Sequence, residues 1–273
     1  MHPWLLTSPA VSTYGACIVT ALVVAWMWAR GRGRRAGLDA SRIDLLMPVL
    51  LGTGLLGAWL FGFFTDEATG GHEHGAVLVG SLLVATGAGV GYGFASKMPL
   101  GVLGDVCSAP LALGIGLGRV GCFFAGCCFG KVNEHPTFLT SVRFPAGSFA
   151  FLQQVGEGRL SSSALESLPV YPTQLYESAA CVILAILLWK VPRWKGAVSG
   201  ERFLAMGMGY AVIRFGVEFL RADNPPIGGL TFSQWGALGI FVVAVVTWIV
   251  RRKLAKFWGI SNFSPGPQLP RPV

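Results

Sequence analysis

Charge is what this chain has least of. Asp, Glu, Lys and Arg make up 12% of its 273 residues, against roughly 25% in soluble globular domains. So few charges cannot solvate a globular surface of this size, which excludes a soluble enzyme. A disordered chain is excluded as well, because 53% of the residues are hydrophobic and the mean hydropathy is +0.59. Cysteine is sparse: Cys17, Cys107, Cys122, Cys127, Cys128 and Cys181 are too few and too scattered to staple a secreted scaffold of this length. Acidic residues are fewer than basic ones, 13 against 21, giving a formal net charge of +8. In a soluble protein that balance points to nucleic acid. In a chain built for hydrocarbon it is read first as topology, because basic residues crowd cytoplasmic loops.

Long apolar runs are what the sequence has instead. Seven segments, at roughly 11–30, 43–64, 75–95, 101–125, 172–190, 203–220 and 231–250, approach the ~20 residues that cross a bilayer. They are too long and too uniformly apolar for barrel strands, so the predicted class is all-α, a polytopic bundle of seven transmembrane helices. Alternating the connections across a membrane places 15 of the 21 basic residues on one side, from Arg30, Arg32, Arg34 and Arg35 to Arg251, Arg252, Lys253 and Lys256. Lys131, Arg143, Arg159 and Arg221 fall on the other, and Arg119 and Arg214 sit inside apolar segments. The amino terminus is therefore expected outside and the carboxyl terminus in the cytoplasm. MHPWLLTSPA carries no basic residue, so the first run is expected to be an uncleaved span rather than a signal peptide. Residues 1–258 form the expected membrane domain, with a small extracytoplasmic head at 131–170; the Pro-rich stretch 259–273 is expected to be a disordered cytoplasmic tail.

Charged groups inside spans cost at least ~2.5 to 3.5 kcal/mol each on insertion scales, so each is a candidate functional residue. In GMGYAVIRFGVEFLRAD, Tyr210, Arg214, Glu218 and Arg221 follow at steps of four, four and three, on one stripe of a helix. Arg214 and Glu218 can pair; either the pair only fixes packing, or the stripe faces a cavity. Arg119, in GIGLGRVGCFFAGCCFG, has no acidic residue within a turn. Its partner is either Asp105 or Glu177 from a neighbouring segment, or an anion such as a lipid phosphate held together with Arg214. Gln174 and Glu177 stand in the first turns of an apolar helix opened by Tyr171 and Pro172. His74, in GGHEHG, titrates near neutrality and is a candidate general base. His72 and His74 lie two apart with no further ligand cluster nearby, so no metal site is expected there.

Together these segments resemble one family, the bacterial prolipoprotein diacylglyceryl transferases. GRVGCFFAGCCFG is similar to that family's G-R-x-G-N-F-x-N-G-E-x-x-G, YPTQLYE to H-P-[ST]-Q-L-Y-E, RFGVEFLRAD to R-F-x-x-E-x-x-R-x-x-D, and GGHEHGAVLVG to G-G-x-x-x-H-G-G-x-x-G. Tyr14-Gly15 and Asp105 also fall where the family has them. The resemblance implies transfer of the diacylglyceryl group of phosphatidylglycerol to the lipobox cysteine thiol of a preprolipoprotein, forming a thioether and releasing glycerol 1-phosphate. It implies that Arg119 and Arg214 hold the phosphate and that Glu218 orients Arg214. Tyr14, His74, Tyr210 and Gly130 would line the site, with Gln174, Glu177 and Cys122 beside them. The implied partners are phosphatidylglycerol, the lipobox peptide and membrane lipids, in a bacterial inner membrane, with a monomer expected and neither a cofactor nor nucleic acid.

The departures cluster. Cys122 stands where the pattern has its first Asn, Ala125 its second, Cys127 its Glu and Tyr171 the His of the H-P motif. Cysteine here is either a small apolar filler or a reactive group. Two other readings follow: a membrane thiol–disulfide oxidoreductase using Cys122, Cys127 and Cys128, and an anionic-lipid binder that keeps the arginines without turnover.

Overall fold

The computed structural model describes residues 13–69, 74–190, 197–222 and 226–257, the side chains of 61–69, 74–79, 82 and 226–227 excepted. Helices dominate it. They are α1 (Thr13–Arg35), α2 (Ala40–Thr69), α3 (His74–Ala95), α4 (Leu100–Ala125), α5 (Phe149–Gly156), α6 (Thr173–Lys190), α7 (Glu201–Glu218) and α8 (Phe232–Phe257). Two-residue strands β1 (Pro226–Ile227) and β2 (Leu230–Thr231) pair antiparallel just before α8.

Each of the seven apolar segments coincides with one long helix, and the helix ends carry ordinary stop and start chemistry. The α1 helix runs five residues past its apolar segment into Arg32, Arg34 and Arg35, whose charges suit a helix C-terminus. The α2 helix opens on Asp39, whose carboxylate accepts from the Ser41 amide at 3.0 Å. The α4 helix follows Pro99 and ends at Gly126 in a left-handed cap, the Gly126 amide turning back to Cys122 and Phe123 carbonyls. The short helix α5 is capped by Ser148, whose hydroxyl accepts from the Phe151 amide.

Among the described residues five helices are long and apolar enough to cross a membrane: Thr13–Arg35, Ala40–Leu60, Leu100–Ala125, Thr173–Lys190 and Phe232–Phe257. The α7 helix falls outside that set because it carries Glu201, Arg202, Arg214 and Glu218. The α3 helix, His74–Ala95, has 22 residues, of which Leu83–Ala95 is a continuous apolar stretch. Large apolar side chains cover the exterior, with Leu55 72%, Phe94 69%, Trp59 66% and Val243 66% exposed. That surface is untenable in water and suits lipid, so this is a multi-pass membrane protein.

The central helix is α4, packed against α1, α6 and α7, while α2 pairs with α3 and α7 with α8. Small residues let the central helices approach: Ala109, Ala112 and Ala185 are almost fully buried beside Leu188 and Met206. A second core of Phe129, Phe144, Ala150 and Val170 lies under the connection between α4 and α6. Isolated bridges Val132–Val170, Val142–Val170 and Pro145–Glu166 fold that connection back on itself.

Asp105 belongs to this scaffold. It lies at the opposite end of α4 from Arg119 and accepts the Gly200 and Arg202 amides at 3.0 and 2.9 Å, capping α7 from another helix. Arg119 therefore does not pair with it. Asp105→Ala would leave two amides at a helix N-terminus without this acceptor, one of them buried. A loss of about 1–3 kcal/mol is expected, read as a lower thermal midpoint in detergent.

An apolar cavity of about 530 Å³ lies beside the α4 segment 100–111, between Trp26, Leu46, Leu50, Leu103 and Phe203, with Arg251 at its edge.

Candidate active site

At the far end of α4 from Asp105, three helices bring their charges together. Glu177 on α6 is 1% exposed and lies between two arginines. Its Oε1 is 3.0 Å from Arg119 Nη2 on α4, and its Oε2 is 3.6 Å from Arg214 Nη1 on α7. The Tyr210 hydroxyl donates to Glu177 Oε1 at 3.2 Å. On the other side of Arg214, Nη2 is 2.8 Å from Glu218 Oε2, one helical turn on, and donates to Ser233 Oγ at 3.0 Å. The carboxylate of Glu218 also accepts from Thr231 Oγ1 at 2.9 Å and lies 3.8 Å from Arg221 Nε.

The stripe of Tyr210, Arg214, Glu218 and Arg221 on α7 thus faces inward as one network, and the pairing of Arg119 resolves to Glu177. Among the described residues Arg119, Arg214 and Arg221 meet Glu177 and Glu218 in a site whose five side chains are 0–11% exposed. Arg214 Nη1 makes no hydrogen bond among the described residues. Buried guanidinium groups with a spare donor suit an anion with several oxygens, such as a phosphodiester.

Next to this network the chain makes a tight turn after α4. Cys122 in the last turn of α4 and Cys127 and Cys128 beyond it place their sulfurs within 4.8 Å of one another. All three are free thiols and half-buried. The backbone of the turn is pinned from α6: Gln174 Nε2 donates to the Cys127 carbonyl at 2.8 Å, and Thr173 Oγ1 to the Cys128 carbonyl at 2.9 Å. The Cys128 thiol is held below the ordinary thiol range by hydrogen bonds from Cys122 and Cys127, with Arg221 and Arg119 adding to the effect. Cys127 is pushed up by its hydrogen bonds to the other two.

Gly130 closes the site geometrically rather than chemically. Its amide donates to the Tyr171 carbonyl at 2.9 Å, and the residue bridges to Arg221. A β-carbon there would lie 2.6 Å from Tyr171 Cβ and 2.8 Å from the Leu220 carbonyl oxygen. Gly130→Ala is therefore expected to push apart the strands that carry Tyr171 and Arg221. The cost is about 1–3 kcal/mol, with a fall in transfer rate exceeding what the lowered thermal midpoint explains. Tyr14, 43% exposed, packs its ring against Gly121, one residue before Cys122. His74 opens α3, and its side chain lies outside the described residues.

The network also holds residues the sequence reading passed over. Thr231, Ser233 and Gln234 open α8 as TFSQ, a run that reads as ordinary helix-start polarity. They stand in the first turn of the apolar segment 231–250, a position that points to a cap as readily as to a site.

The prolipoprotein diacylglyceryl transferase family model matches residues 3–250. This chain belongs to that family. A phosphatidylglycerol–prolipoprotein diacylglyceryl transferase of Pediococcus pentosaceus is 30% identical over 256 residues, covering 89% of this chain and 87% of its own. One of Xanthomonas oryzae is 34% identical over 254 residues, covering 84% and 81%, and one of Clostridium tetani is 28% identical over 250 residues, covering 88% and 92%. Against the family pattern given above, Cys122 in the last turn of α4 and Cys127 in the turn after it stand at polar positions. Both fall in the thiol cluster.

Proposed function

We propose that this protein transfers the diacylglyceryl group of phosphatidylglycerol to the thiol of a preprolipoprotein lipobox cysteine, forming a thioether and releasing glycerol 1-phosphate. The observation that carries the reading is the convergence of the buried guanidinium groups of Arg119 and Arg214 on Glu177, with Arg214 Nη1 making no hydrogen bond among the described residues. Displacement at the glycerol carbon breaks a carbon–oxygen bond and puts charge on the departing phosphate. Guanidinium groups already fixed by ion pairs stabilise that charge without reorganising. In this reading Arg119 and Arg214 hold the phosphate, Glu177 and Glu218 orient the two arginines, and Tyr210 fixes Glu177. Tyr14, Gly130, Gln174 and Cys122 line the site, and His74 is the candidate base for the acceptor thiol. The apolar cavity begins about 12 Å along α4 from Arg119, at a rise of 1.5 Å per residue, which suits it to acyl chains below the phosphate.

All seven long helices cross the bacterial inner membrane in this reading. With the amino terminus outside, α4 ends, α6 begins and α7 ends at the extracytoplasmic side, where the arginine network and lipoprotein precursors meet. The support is the charge distribution, with Arg30 to Arg42, Lys190 to Arg202 and Arg251 to Lys256 at the opposite ends of the helices. Residues 131–170 form the extracytoplasmic head of one membrane domain spanning 1–258, 259–273 is a cytoplasmic tail, and the protein acts as a monomer. The test is genetic: expression in a strain lacking lipoprotein diacylglyceryl transfer should restore lipid-modified lipoprotein. Continued accumulation of unmodified precursor, with the protein present in the membrane, would count against it.

A further inference from the structure

The thiol cluster is built in a way that apolar filler does not require. Cys17, Cys107 and Cys181 stand apart from this cluster, half-buried or buried, whereas Cys122, Cys127 and Cys128 are half-buried and converge. The turn that brings them together has two left-handed positions, Gly126 at φ 69° and Cys128 at φ 59°, on either side of Cys127. The second is an uncommon conformation for a residue with a β-carbon, and it is held by the Thr173 hydrogen bond to its carbonyl. Cys127 and Cys128 are neighbours in sequence and poorly placed to bridge each other, so a simple dithiol leaves the third sulfur without a role.

Three convergent thiols are a donor set for a borderline-soft d¹⁰ cation. Zinc binds thiolates at about 2.3 Å, which in a tetrahedron spaces the sulfurs about 3.8 Å apart. Sulfurs within 4.8 Å of one another lie about an ångström from that spacing. Among the described residues the group contains three ligands and no fourth. Three protein ligands with one open position is the pattern of a reactive zinc site rather than a structural one. Arg119, one turn before Cys122 on α4, and Arg221, bridged to Gly130, bring positive charge to this turn to offset a three-thiolate zinc.

We propose that Cys122, Cys127 and Cys128 bind one zinc ion through three thiolates, and that its fourth position takes the acceptor cysteine of the preprolipoprotein. The proposal rests on the transferase reading above. A thiol bound to zinc is deprotonated, and its proton passes to solvent. The zinc-held sulfur then forms a bond to the glycerol carbon of phosphatidylglycerol as the carbon–oxygen bond to phosphate breaks. The electron pair leaves on the phosphate oxygen held by Arg119 and Arg214. The product sulfur is a neutral thioether, a weaker ligand than a thiolate, and leaves the metal with the modified peptide. No oxidant or reductant takes part. In this way the two cysteines that replace polar residues of the family pattern supply thiol activation by another route.

Cobalt(II) titration of the metal-free, reduced protein in detergent tests this without any variant that has to fold. One equivalent should produce an intense ultraviolet sulfur-to-cobalt band and a tetrahedral visible envelope. Adding a lipobox peptide should shift the visible envelope, while the same peptide with serine for its cysteine should not. Cys122→Ser and Cys127→Ser should each weaken cobalt binding at least tenfold. Absence of the sulfur band, or binding unaffected in both variants, overturns the site; a sulfur band indifferent to the peptide thiol overturns the fourth-position role. Transfer from labelled phosphatidylglycerol, measured in zinc-free and zinc-reloaded protein, separates this inference from the reading beneath it. Full transfer without zinc overturns the inference and leaves the transferase reading intact. No transfer in either form, with the cobalt band and its peptide response present, counts against the transferase reading and leaves the metal site standing.

Discussion

Arg214→Ala is expected to lower diacylglyceryl transfer by at least 10²–10³-fold, the loss seen when one preorganised donor to a developing anion is removed, about 2.7–4 kcal/mol. Arg214 is the residue through which every part of the network communicates. It lies 3.6 Å from Glu177, 2.8 Å from Glu218 and 3.0 Å from Ser233. Its Nη1 has no hydrogen bond among the described residues, and in the proposed reading it donates to a phosphate oxygen. Removing Arg214 takes away one of the two buried guanidinium groups that this reading assigns to the phosphate. Arg214→Lys separates charge from geometry. It restores the positive charge, but a point charge replaces the planar fork. It should bind phosphatidylglycerol better than the alanine variant and still transfer far more slowly than the native protein. Equal rates for Arg214→Lys and the native protein would show that the fork is not used.

The largest structural effect is expected at Glu177. This carboxylate is 1% exposed and serves Arg119, Arg214 and Tyr210 at once. Glu177→Ala takes the carboxylate from buried Arg119 and the acceptor from the Tyr210 hydroxyl, and leaves Arg214 with Glu218 and Ser233. Breaking a buried ion pair from one side costs about 3–5 kcal/mol, a large part of the 5–15 kcal/mol that holds a typical domain together. The variant should show a strongly lowered thermal midpoint, poor yield from membranes and no measurable transfer. Glu177→Gln keeps an acceptor for the Tyr210 hydroxyl and fills the same volume, so it should recover much of the stability while transfer stays low, because Arg119 is no longer held by Glu177 and Arg214 keeps Glu218 but loses its second carboxylate. If Glu177→Gln transfers like the native protein, the carboxylate serves packing alone.

Particular residues show why some of this was legible in the sequence. The seven helices follow from apolar length, which is a local property, and they extend past the apolar runs where Arg or Lys continues α1 and α8 and where α2 runs on to Thr69. The α7 stripe follows from helical periodicity, also local, and it faces inward as the cost of charge in lipid requires. What the sequence left open was long-range. Arg119 had two candidate carboxylates, and only the packing of α4 against α6 and α7 decides for Glu177 while turning Asp105 to the start of α7, 95 residues away. Thr231 and Ser233 serve residues on another helix, and a polar helix start carries no mark of that. The thiol cluster depends on the left-handed backbone at Gly126 and Cys128, which residue types alone do not specify.

The central claim is that a buried pair of arginines receives the phosphate of phosphatidylglycerol as its leaving group. Its most direct test is release of headgroup-labelled glycerol phosphate from phosphatidylglycerol vesicles containing the purified protein, with a lipobox peptide added. The account predicts release only when the peptide carries its cysteine, in equal amount to the thioether formed, and its loss in both Arg119→Ala and Arg214→Ala. Release undiminished in those two variants, or thioether formed without glycerol phosphate, would contradict it.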